Sequence, residues 1–290
     1  MPPVLTDYEY AYGETGFVLN ADFGGNPNNL PFVDVTDITG LDSAPQRVNT
    51  SEREGLDGTY VDVAFQSMRT IVITGEVYAS VNDPDTLVKA LRAAYGNPAV
   101  APFYFKHPSQ SLQFCNAQGG GCKYDVDVNR RLGITNVMLT LLCGDPYIYD
   151  YPPNFASSNL NAINPFGRGF NWSFPTGFGS SIVLNEETLA NYGTHTAYPI
   201  ITLHGPLTNP VITDSISSIT MALSMTMVAS DTCVIDCRNK SIILNGTTSK
   251  RSSYNGLSWF SVPAATLDTI YLGASAGSGY YTALLYNTYY

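Results

Sequence analysis

The sequence has 290 residues, of which 44% are hydrophobic and only 13% charged, and it contains 25 Gly, 18 Pro and 20 Tyr. The length suits two domains, and the composition favours short strands joined by turns over helices. The formal net charge of −10 argues against a surface that grips nucleic acid, because phosphate binding requires clustered Lys and Arg.

The first part of the chain carries most of the negative charge. Residues 1–62 hold 11 acidic residues, but only Arg47 and Arg53 as bases. This is typical of solvated loops, and it also fits an acidic wall along which DNA slides without sticking. The first ten residues lack a signal-peptide pattern, and no run approaches the ~18 apolar residues of a membrane span. We therefore expect a soluble protein that is made in a cytosol and has no membrane contact.

The first half predicts a β-domain. Residues 41–58 are polar and acidic, and they predict a long mobile loop that ends at Asp57-Gly58. Asp125 and Asp127 share a predicted strand face and are expected to point to solvent. Strands are expected within 4–20 and at 31–38, 59–65, 69–78, 103–106, 111–116, 123–128 and 133–143.

One helix is predicted in this half, from Asp83 to Tyr95. Asn82 or Asp83 suits the N-cap, Pro84 suits the first helical position, and Gly96 suits the exit. One apolar face recurs at helical spacing and is expected to pack against a sheet: Leu87, Val88, Leu91 and Tyr95.

Gly144-Asp145-Pro146 marks the end of the first domain, which we place at 1–146. Residues 147–190 are rich in Asn, Gly, Pro, Ser and aromatic residues, and they predict an irregular connector. Four alternating aromatic residues in it either pack onto the next domain or form an exposed platform for sugars or proteins: Phe170, Trp172, Phe174 and Phe178.

Residues 191–290 predict a second, all-β domain. Apolar residues alternate from Ile219 to Met227 and from Cys233 to Cys237, so each run predicts one buried face. Asn245-Gly246 signals a tight hairpin. Further strands are expected at 198–204, 258–262, 268–272 and 280–286, and this spacing indicates a β-sandwich.

The five cysteines form no CxxC pair, which argues against a metal site. Cys233 and Cys237 are four residues apart in one strand, about 13 Å, and this is too far for a disulfide. Cys115 and Cys122 flank a Gly-rich turn, and two states stay open for them: reduced buried thiols, or a bridge across a hairpin. Cys143 has no cysteine near it in the sequence.

The other chemical motifs predict structure rather than catalysis. The GxSxG at residues 273–277 lacks the later acid and His that a hydrolase elbow requires. His107, His195 and His204 have no metal-ligand spacing. We therefore predict no enzyme activity, no cofactor, and no catalytic, cofactor-binding or metal-binding residues.

Three stretches follow one another in an order that resembles a known family. They are the strands within Gly58–Tyr78 with the helix after them, the domain end Leu141–Tyr147, and the entry to the second domain, Asn191–Ile212. This order resembles the distal tail protein (Dit) family of long-tailed, non-contractile bacteriophages, especially minor tail proteins of actinobacterial phages. The resemblance covers essentially the whole chain, and no single motif carries it.

The resemblance implies a mainly β protein with two β-sandwich domains, the first tail-tube-like with one helix and the second galectin-like. It implies a homohexameric ring at the tail tip or baseplate hub of a siphovirus virion. Its partners would be the tail tube protein, the tail-tip hub protein and the tape measure protein, and DNA would pass through the lumen unbound. The alternative is a module that binds host carbohydrate or receptor through the C-terminal β-sandwich.

Overall fold

The computed structural model describes residues 2–13, 18–20, 31–80, 85–159 and 186–290. The described chain is mainly β, as predicted, and contains one α-helix. It divides into two compact units, residues 1–151 with 289–290, and residues 152–288. In the described ranges, no helix has the length and apolar character needed to cross a membrane.

The N-terminal unit is built on a nine-stranded antiparallel sheet. Its elements are β1 Tyr10–Tyr12, β2 Val18–Leu19, β3 Phe32–Thr39, β4 Gln46–Arg47, β5 Thr50–Glu52, β6 Thr59–Val61, β7 Phe65–Gln66, β8 Arg69–Tyr78, α1 Thr86–Tyr95, β9 Val100–Lys106, β10 Leu112–Tyr124, a 3-10 helix Val128–Leu132, β11 Ile134–Cys143 and β12 Ile148–Tyr151. The main strand order is β2-β1-β9-β10-β11-β8-β3, and β12 pairs with β10.

The helix packs as predicted. Its four apolar residues, Leu87, Val88, Leu91 and Tyr95, are all buried, because a single stripe at helical spacing has to be covered by the sheet. Gly96 ends the helix, as predicted. The helix begins at Thr86 after Asp85 rather than at Asp83, and the predicted capping residues 82–84 lie outside the described residues.

Residues 111–124 differ from the prediction. One strand, β10, runs through the glycines with a bulge between Gly119 and Gly121. A Cβ on Gly119 would lie 2.2 Å from the carbonyl oxygen of Tyr95, so a residue without a side chain lets the helix end approach the strand. Cys115 and Cys122 therefore lie on the same strand and do not face each other across a hairpin. Of the two alternatives, the bridge is excluded; both are free thiols, Cys115 buried and Cys122 partly exposed.

The strand predicted at 123–128 is also shorter than expected. It ends at Tyr124, and Asp127 caps the 3-10 helix by accepting hydrogen bonds from the backbone N of Asn129 and Arg130. Asp125 accepts a hydrogen bond from the Asn136 amide at 3.1 Å. Both side chains are exposed, as predicted, but they do not share a strand face, because the strand ends before them.

The C-terminal unit contains two larger sheets whose inner faces share one hydrophobic core. Its strands are β13 Asn154–Asn159, β14 Glu186–Asn191, β15 Ile200–His204, β16 Leu207–Thr208, β17 Val211–Asp214, β18 Thr220–Ala222, β19 Thr226–Met227, β20 Thr232–Asp236, β21 Ser241–Leu244, β22 Thr248–Ser249, β23 Thr266–Gly273, β24 Ala276–Gly277 and β25 Tyr280–Leu285, with a 3-10 helix at Arg251–Ser253. The six-stranded sheet has the order β13-β25-β15-β20-β21-β22, and the four-stranded sheet has the order β14-β23-β17-β18.

Several local predictions in this unit are confirmed. Met221, Met227, Cys233 and Cys237 are buried as the alternation predicted. Asn245 and Gly246 both have positive φ and form the turn between β21 and β22. At 258–262, however, the structure has only an isolated bridge between Ala197 and Val262 instead of a strand.

The predicted irregular connector at 147–190 has strands at both ends. β12 belongs to the N-terminal sheet, while β13 and β14 pair with strands of the C-terminal unit. The four aromatic residues between Phe170 and Phe178 lie outside the described residues. A last short strand, β26 (Thr288–Tyr289), pairs with β12.

Candidate assembly surfaces

A long β-hairpin leaves the N-terminal sheet between β3 and β8. Its ladders pair β4 with β7 and β5 with β6, and Arg53 N donates to the Gly58 carbonyl at 3.3 Å near its tip. Gly55 and Gly58 have φ values of 72° and 98°, a conformation that favours glycine. We call residues 46–66 the arm. The sequence predicts a long mobile loop at 41–58, and this is wrong for residues 46–58, which form one side and the tip of a hairpin.

Arg69 fixes the base of the arm. Its fully buried side chain donates from Nε to the Pro146 carbonyl at 2.8 Å, and from Nη1 to the carbonyls of Gly40 and Asp42 at 2.8 and 3.4 Å. A Cβ on Gly40 would lie 2.0 Å from the Thr70 carbonyl oxygen, so only glycine permits this approach. Arg69, which follows the arm in the chain, thus binds Gly40 and Asp42, which precede the arm.

The arm exposes apolar side chains. Tyr60 and Phe65 are each 58% exposed, Val61 is 69% exposed and Val63 is 73% exposed. The Arg53 guanidinium lies over the Tyr60 ring, 4.9 Å from its centroid. A two-stranded hairpin is marginally stable in water by itself, and grouped exposed apolar side chains are typical of interaction sites. The arm is therefore the first candidate assembly surface.

The edges of the N-terminal sheet approach each other at Asn20. Its backbone N donates to the Val33 carbonyl at 3.0 Å, and its Oδ1 accepts from Val35 N at 2.6 Å. Asn20 has a φ of 63°, which Asn tolerates better than most residues. β3 carries a bulge after Val35. An open cleft of about 490 Å³ lies where these two edges meet, and it is the second candidate surface. Its lining includes Tyr8, Tyr10, Thr36, Asp37 and Ile38.

The outward face of the six-stranded sheet is a third candidate surface. Phe155, which is 65% exposed, pairs with Leu284, and Leu284 pairs with Ile200. On the same face His204 stacks on Tyr280, with ring centroids 4.2 Å apart and planes inclined by 9°. Burial lowers the pKa of His204, which favours its neutral form. His204 is therefore packed, as predicted, in an aromatic pair at the surface.

The predicted chemical motifs lie in separate elements. Ser275 of the GxSxG donates to the Thr208 carbonyl at 2.8 Å, and the following strand β24 pairs with β16. His107 packs edge-on against Phe105, and His195 forms a bridge in the C-terminal unit. Within the described residues, no three His, Cys, Asp or Glu side chains group so as to hold a metal ion.

Two pairs of titratable side chains meet in the cores without a signal in the sequence. Cys115 and Cys143 lie with their Sγ atoms 3.7 Å apart in the N-terminal unit. In the C-terminal unit the Asp268 carboxyl packs against that of Asp214, and each residue is 1% exposed. Burial, then the hydrogen bond with Asp214, raises the pKa of Asp268 to about 6. Each pair joins residues distant in sequence, so strand pairing alone brings them together.

Residues 192–286 match the sequence model of a family described as siphovirus-type tail component, C-terminal domain. This part of the chain is therefore similar to the C-terminal domain of siphovirus-type tail components. The match begins next to Asn191, where the sequence predicts the second domain to start. The resemblance to the distal tail protein family is thereby confirmed. No curated protein matches the sequence.

The fold is similar to that of two phage structures over nearly the whole chain. The SPP1 Dit protein, described as a paradigm of the hub adsorption apparatus in phages that infect Gram-positive bacteria, has 10% identity and a TM-score of 0.63, covering 98% of this chain and 100% of that chain. A chain of the phage P2 baseplate in its activated conformation with Ca has 10% identity and a TM-score of 0.55, covering 97% and 98%. At such identities the likeness shows the fold alone.

Proposed function

We propose that this protein forms a ring of six copies at the distal end of the phage tail. The ring joins the tail tube to the tail-tip hub around the DNA channel, and it acts without catalysis. The N-terminal unit corresponds to the tail-tube-like ring domain, and the C-terminal unit to the outer galectin-like sandwich. The likeness to SPP1 Dit and to a chain of the phage P2 baseplate supports this arrangement.

The main structural observation that supports the ring is the exposed arm. Every residue from 46 to 65 is exposed, so the arm adds little to the core of its own unit. Its base is nevertheless held by the buried Arg69, and its apolar side chains point to solvent. A fixed element with an uncovered apolar surface gains stability when a second copy of the chain covers it. A ring supplies such a neighbour to every copy.

The distribution of charge supports the position of the channel. Residues 1–62 carry 11 acidic residues against two arginines, and Asp37, Asp42, Asp57 and Asp62 are exposed. An acidic lumen repels the DNA backbone and lets it slide. A ring imaged by electron cryomicroscopy should therefore show a negatively charged lumen, and a basic lumen would contradict this part of the proposal.

The ring itself is tested by light scattering after size-exclusion chromatography. We expect a mass near six times the 31.4 kDa of the chain. The double substitution Val61→Asp and Phe65→Ser should shift the protein to smaller species, because it removes apolar surface from the arm. Leu257→Asp is the matched control, since Leu257 is 89% exposed outside the arm. A monomeric wild type would refute the ring, and an unaffected arm variant would refute the role of the arm.

A second function is favoured by the aromatic pair on the C-terminal unit. The stacked rings of His204 and Tyr280, with the exposed Phe155 on the same sheet face, offer a flat surface of the kind that packs on apolar faces of ligands. If host glycans bind here, a glycan array with the full-length protein gives signals that Tyr280→Ala removes. A blank array supports the structural role alone.

A further inference from the structure

Two cysteines from paired strands meet in the core of the N-terminal unit. Cys115 lies on β10 and Cys143 ends β11, and neither has exposed surface. Their Sγ atoms are 3.7 Å apart. The sulfur atoms of a disulfide are about 2.05 Å apart, so the bond requires the two atoms to approach by roughly 1.7 Å. Continuing the β10–β11 register puts Ala117 opposite Cys143, so Cys115 is the diagonal neighbour of Cys143. Closure therefore requires rotation of both side chains together with a small shift of the strands.

Arg69 gives this thiol pair a cationic neighbour. It is the residue opposite Cys143 in the β8–β11 ladder, and both side chains are buried. Its Nη2 atom is buried and has no hydrogen-bond partner among the described residues. A hydrogen bond with Cys115, and then the Arg69 charge, lower the pKa of Cys143 against the opposing effect of burial. The thiolate is the nucleophilic form of cysteine, so Cys143 is the more reactive member of the pair.

The other cysteines lack this arrangement. Cys233 and Cys237 lie four residues apart along one run of the chain, and burial raises their pKa values to about 11 and about 12. Cys122 is partly exposed on β10, and burial raises its pKa as well. These three cysteines therefore provide internal controls for the reactivity of the first pair.

We propose that Cys115 and Cys143 are a redox pair that closes into a disulfide when the protein meets a two-electron oxidant such as a peroxide. The Cys143 thiol releases its proton, and the thiolate attacks one peroxide oxygen. The O–O bond breaks, and the leaving hydroxide takes up the released proton, so that a sulfenic acid and one water result. The Cys115 sulfur then attacks the sulfenic sulfur, the S–S bond forms, and a second water leaves with the Cys115 proton. Two thiols thus lose two electrons and two protons, and the peroxide becomes two waters.

The bond fixes the end of β11 to β10 beside the base of the arm. A reducing cytoplasm keeps the dithiol form, whereas oxidising surroundings favour the disulfide. Closing the loop between residues 115 and 143 restricts the unfolded chain and stabilises the N-terminal unit. We expect the Tm of this unit to rise by roughly 5 °C or more on oxidation, and to return after reduction with dithiothreitol.

The test uses the full-length protein, treated with hydrogen peroxide or with the diazene oxidant diamide. The chain is then denatured, alkylated with N-ethylmaleimide and measured by mass spectrometry. The reduced chain takes five adducts, one for each of its five cysteines. Closure of the pair removes two of these adducts, and a non-reduced digest contains a cross-linked peptide that joins Cys115 to Cys143. Because both thiols are buried, we expect slow closure that follows transient opening of the unit.

The controls use the same chain. Cys115→Ala and Cys143→Ala should each abolish the cross-link, whereas the double variant Cys233→Ala and Cys237→Ala should retain it. The measurement on the wild type remains decisive if an alanine variant does not fold. The proposal is overturned if Cys115 and Cys143 both stay alkylatable after the partly exposed Cys122 has been oxidised, or if the cross-link joins a different pair.

Discussion

The two units bury charged side chains in opposite ways. In the N-terminal unit, Arg69 is buried as a cation, and carbonyl oxygens of Pro146 and Gly40 accept its hydrogen bonds. In the C-terminal unit, Asp214 and Asp268 are buried side by side. A cation surrounded by carbonyl dipoles is solvated by the protein, whereas two neighbouring carboxylates repel each other unless they share a proton.

This difference predicts different responses to pH. The guanidinium of Arg69 keeps its charge over the ordinary pH range, although burial lowers its pKa, so its contribution to stability should not change. The pKa of Asp268 is raised from its ordinary 3.8 to about 6 in the folded protein. A proton therefore binds the folded state more tightly, and the stability that it gives is full below pH 4 and lost as the pH rises through 6.

The largest loss of stability is expected from a substitution that introduces a buried charge with no hydrogen-bonding partner. Leu91 is 1% exposed at the centre of the helix face that packs on the N-terminal sheet. Leu91→Asp should cost more than about 4 kcal/mol and prevent the N-terminal unit from folding, because it places an uncompensated carboxylate in the core. Circular dichroism and limited proteolysis measure the loss.

Ala90→Asp is the matched control for this helix. Ala90 is exposed on the same helix, so its carboxylate stays in water and the variant should fold. A soluble, folded Leu91→Asp protein would show that the buried face of the helix has been assigned wrongly.

Removal of the buried cation should have the next largest effect. Arg69→Met keeps the approximate length and apolar packing of the side chain but leaves the carbonyls of Pro146, Gly40 and Asp42 without their donor. We expect a loss of about 3 kcal/mol in the free energy of unfolding of the N-terminal unit. Hydrogen exchange should increase in β8 and in the arm, whose base this residue holds. Unchanged exchange in the arm would refute the role of Arg69 as its anchor.

Local patterns explain which parts of the fold follow from the sequence. The helix face around Leu91 and the buried face around Met221 repeat at periods of 3.6 and 2, and these periods depend only on neighbouring residues. β8 is predicted correctly from Arg69 to Tyr78 for the same reason. The positions of cross-strand partners depend instead on the register between segments that are distant in sequence. This register cannot be predicted from the local periodicity.

The errors in the sequence predictions have this origin. The arm pairs Gln46 with Gln66. Its exposed strands need no alternation of polar and apolar residues, so the sequence pattern predicts a loop there. The glycines in β10 predicted a turn, although close approach of Tyr95 is what requires them. The contact between Cys115 and Cys143 depends on the order of β10 and β11 in the sheet, which the cysteine spacing does not contain.

Replacement of one buried carboxyl should have a smaller effect that depends on pH. For the wild type we expect the C-terminal unit to lose about 2 kcal/mol between pH 4 and pH 7.5 as Asp268 loses its proton. Asp268→Asn should remove this slope and match the wild type at pH 4. At pH 7.5 it should be more stable by a similar amount, because the amide is neutral beside Asp214.

Tryptophan fluorescence follows the unfolding of this unit, because Trp259 is buried in its core. Urea unfolding at a series of pH values gives the free energy at each pH. Asp236→Asn is the control, since Asp236 lies on the outward face of β20, where its carboxylate accepts a hydrogen bond from the backbone N of Asn239. An equal slope in the wild type and in Asp268→Asn would refute the raised pKa of Asp268.

A buried carboxylate that already has its donors should respond least. Asp150, which is 8% exposed in the N-terminal unit, accepts from the Tyr289 hydroxyl at 2.7 Å and from the Gln113 amide at 3.0 Å. Tyr289→Phe removes one donor and keeps the ring in the core, so we expect a loss of about 1 kcal/mol. The Gln113 amide still donates to Asp150, whereas the Asp268 carboxyl packs against that of Asp214. Urea unfolding followed by hydrogen exchange in β12 measures the loss, and a loss as large as that of Arg69→Met would show that Asp150 depends on Tyr289 alone.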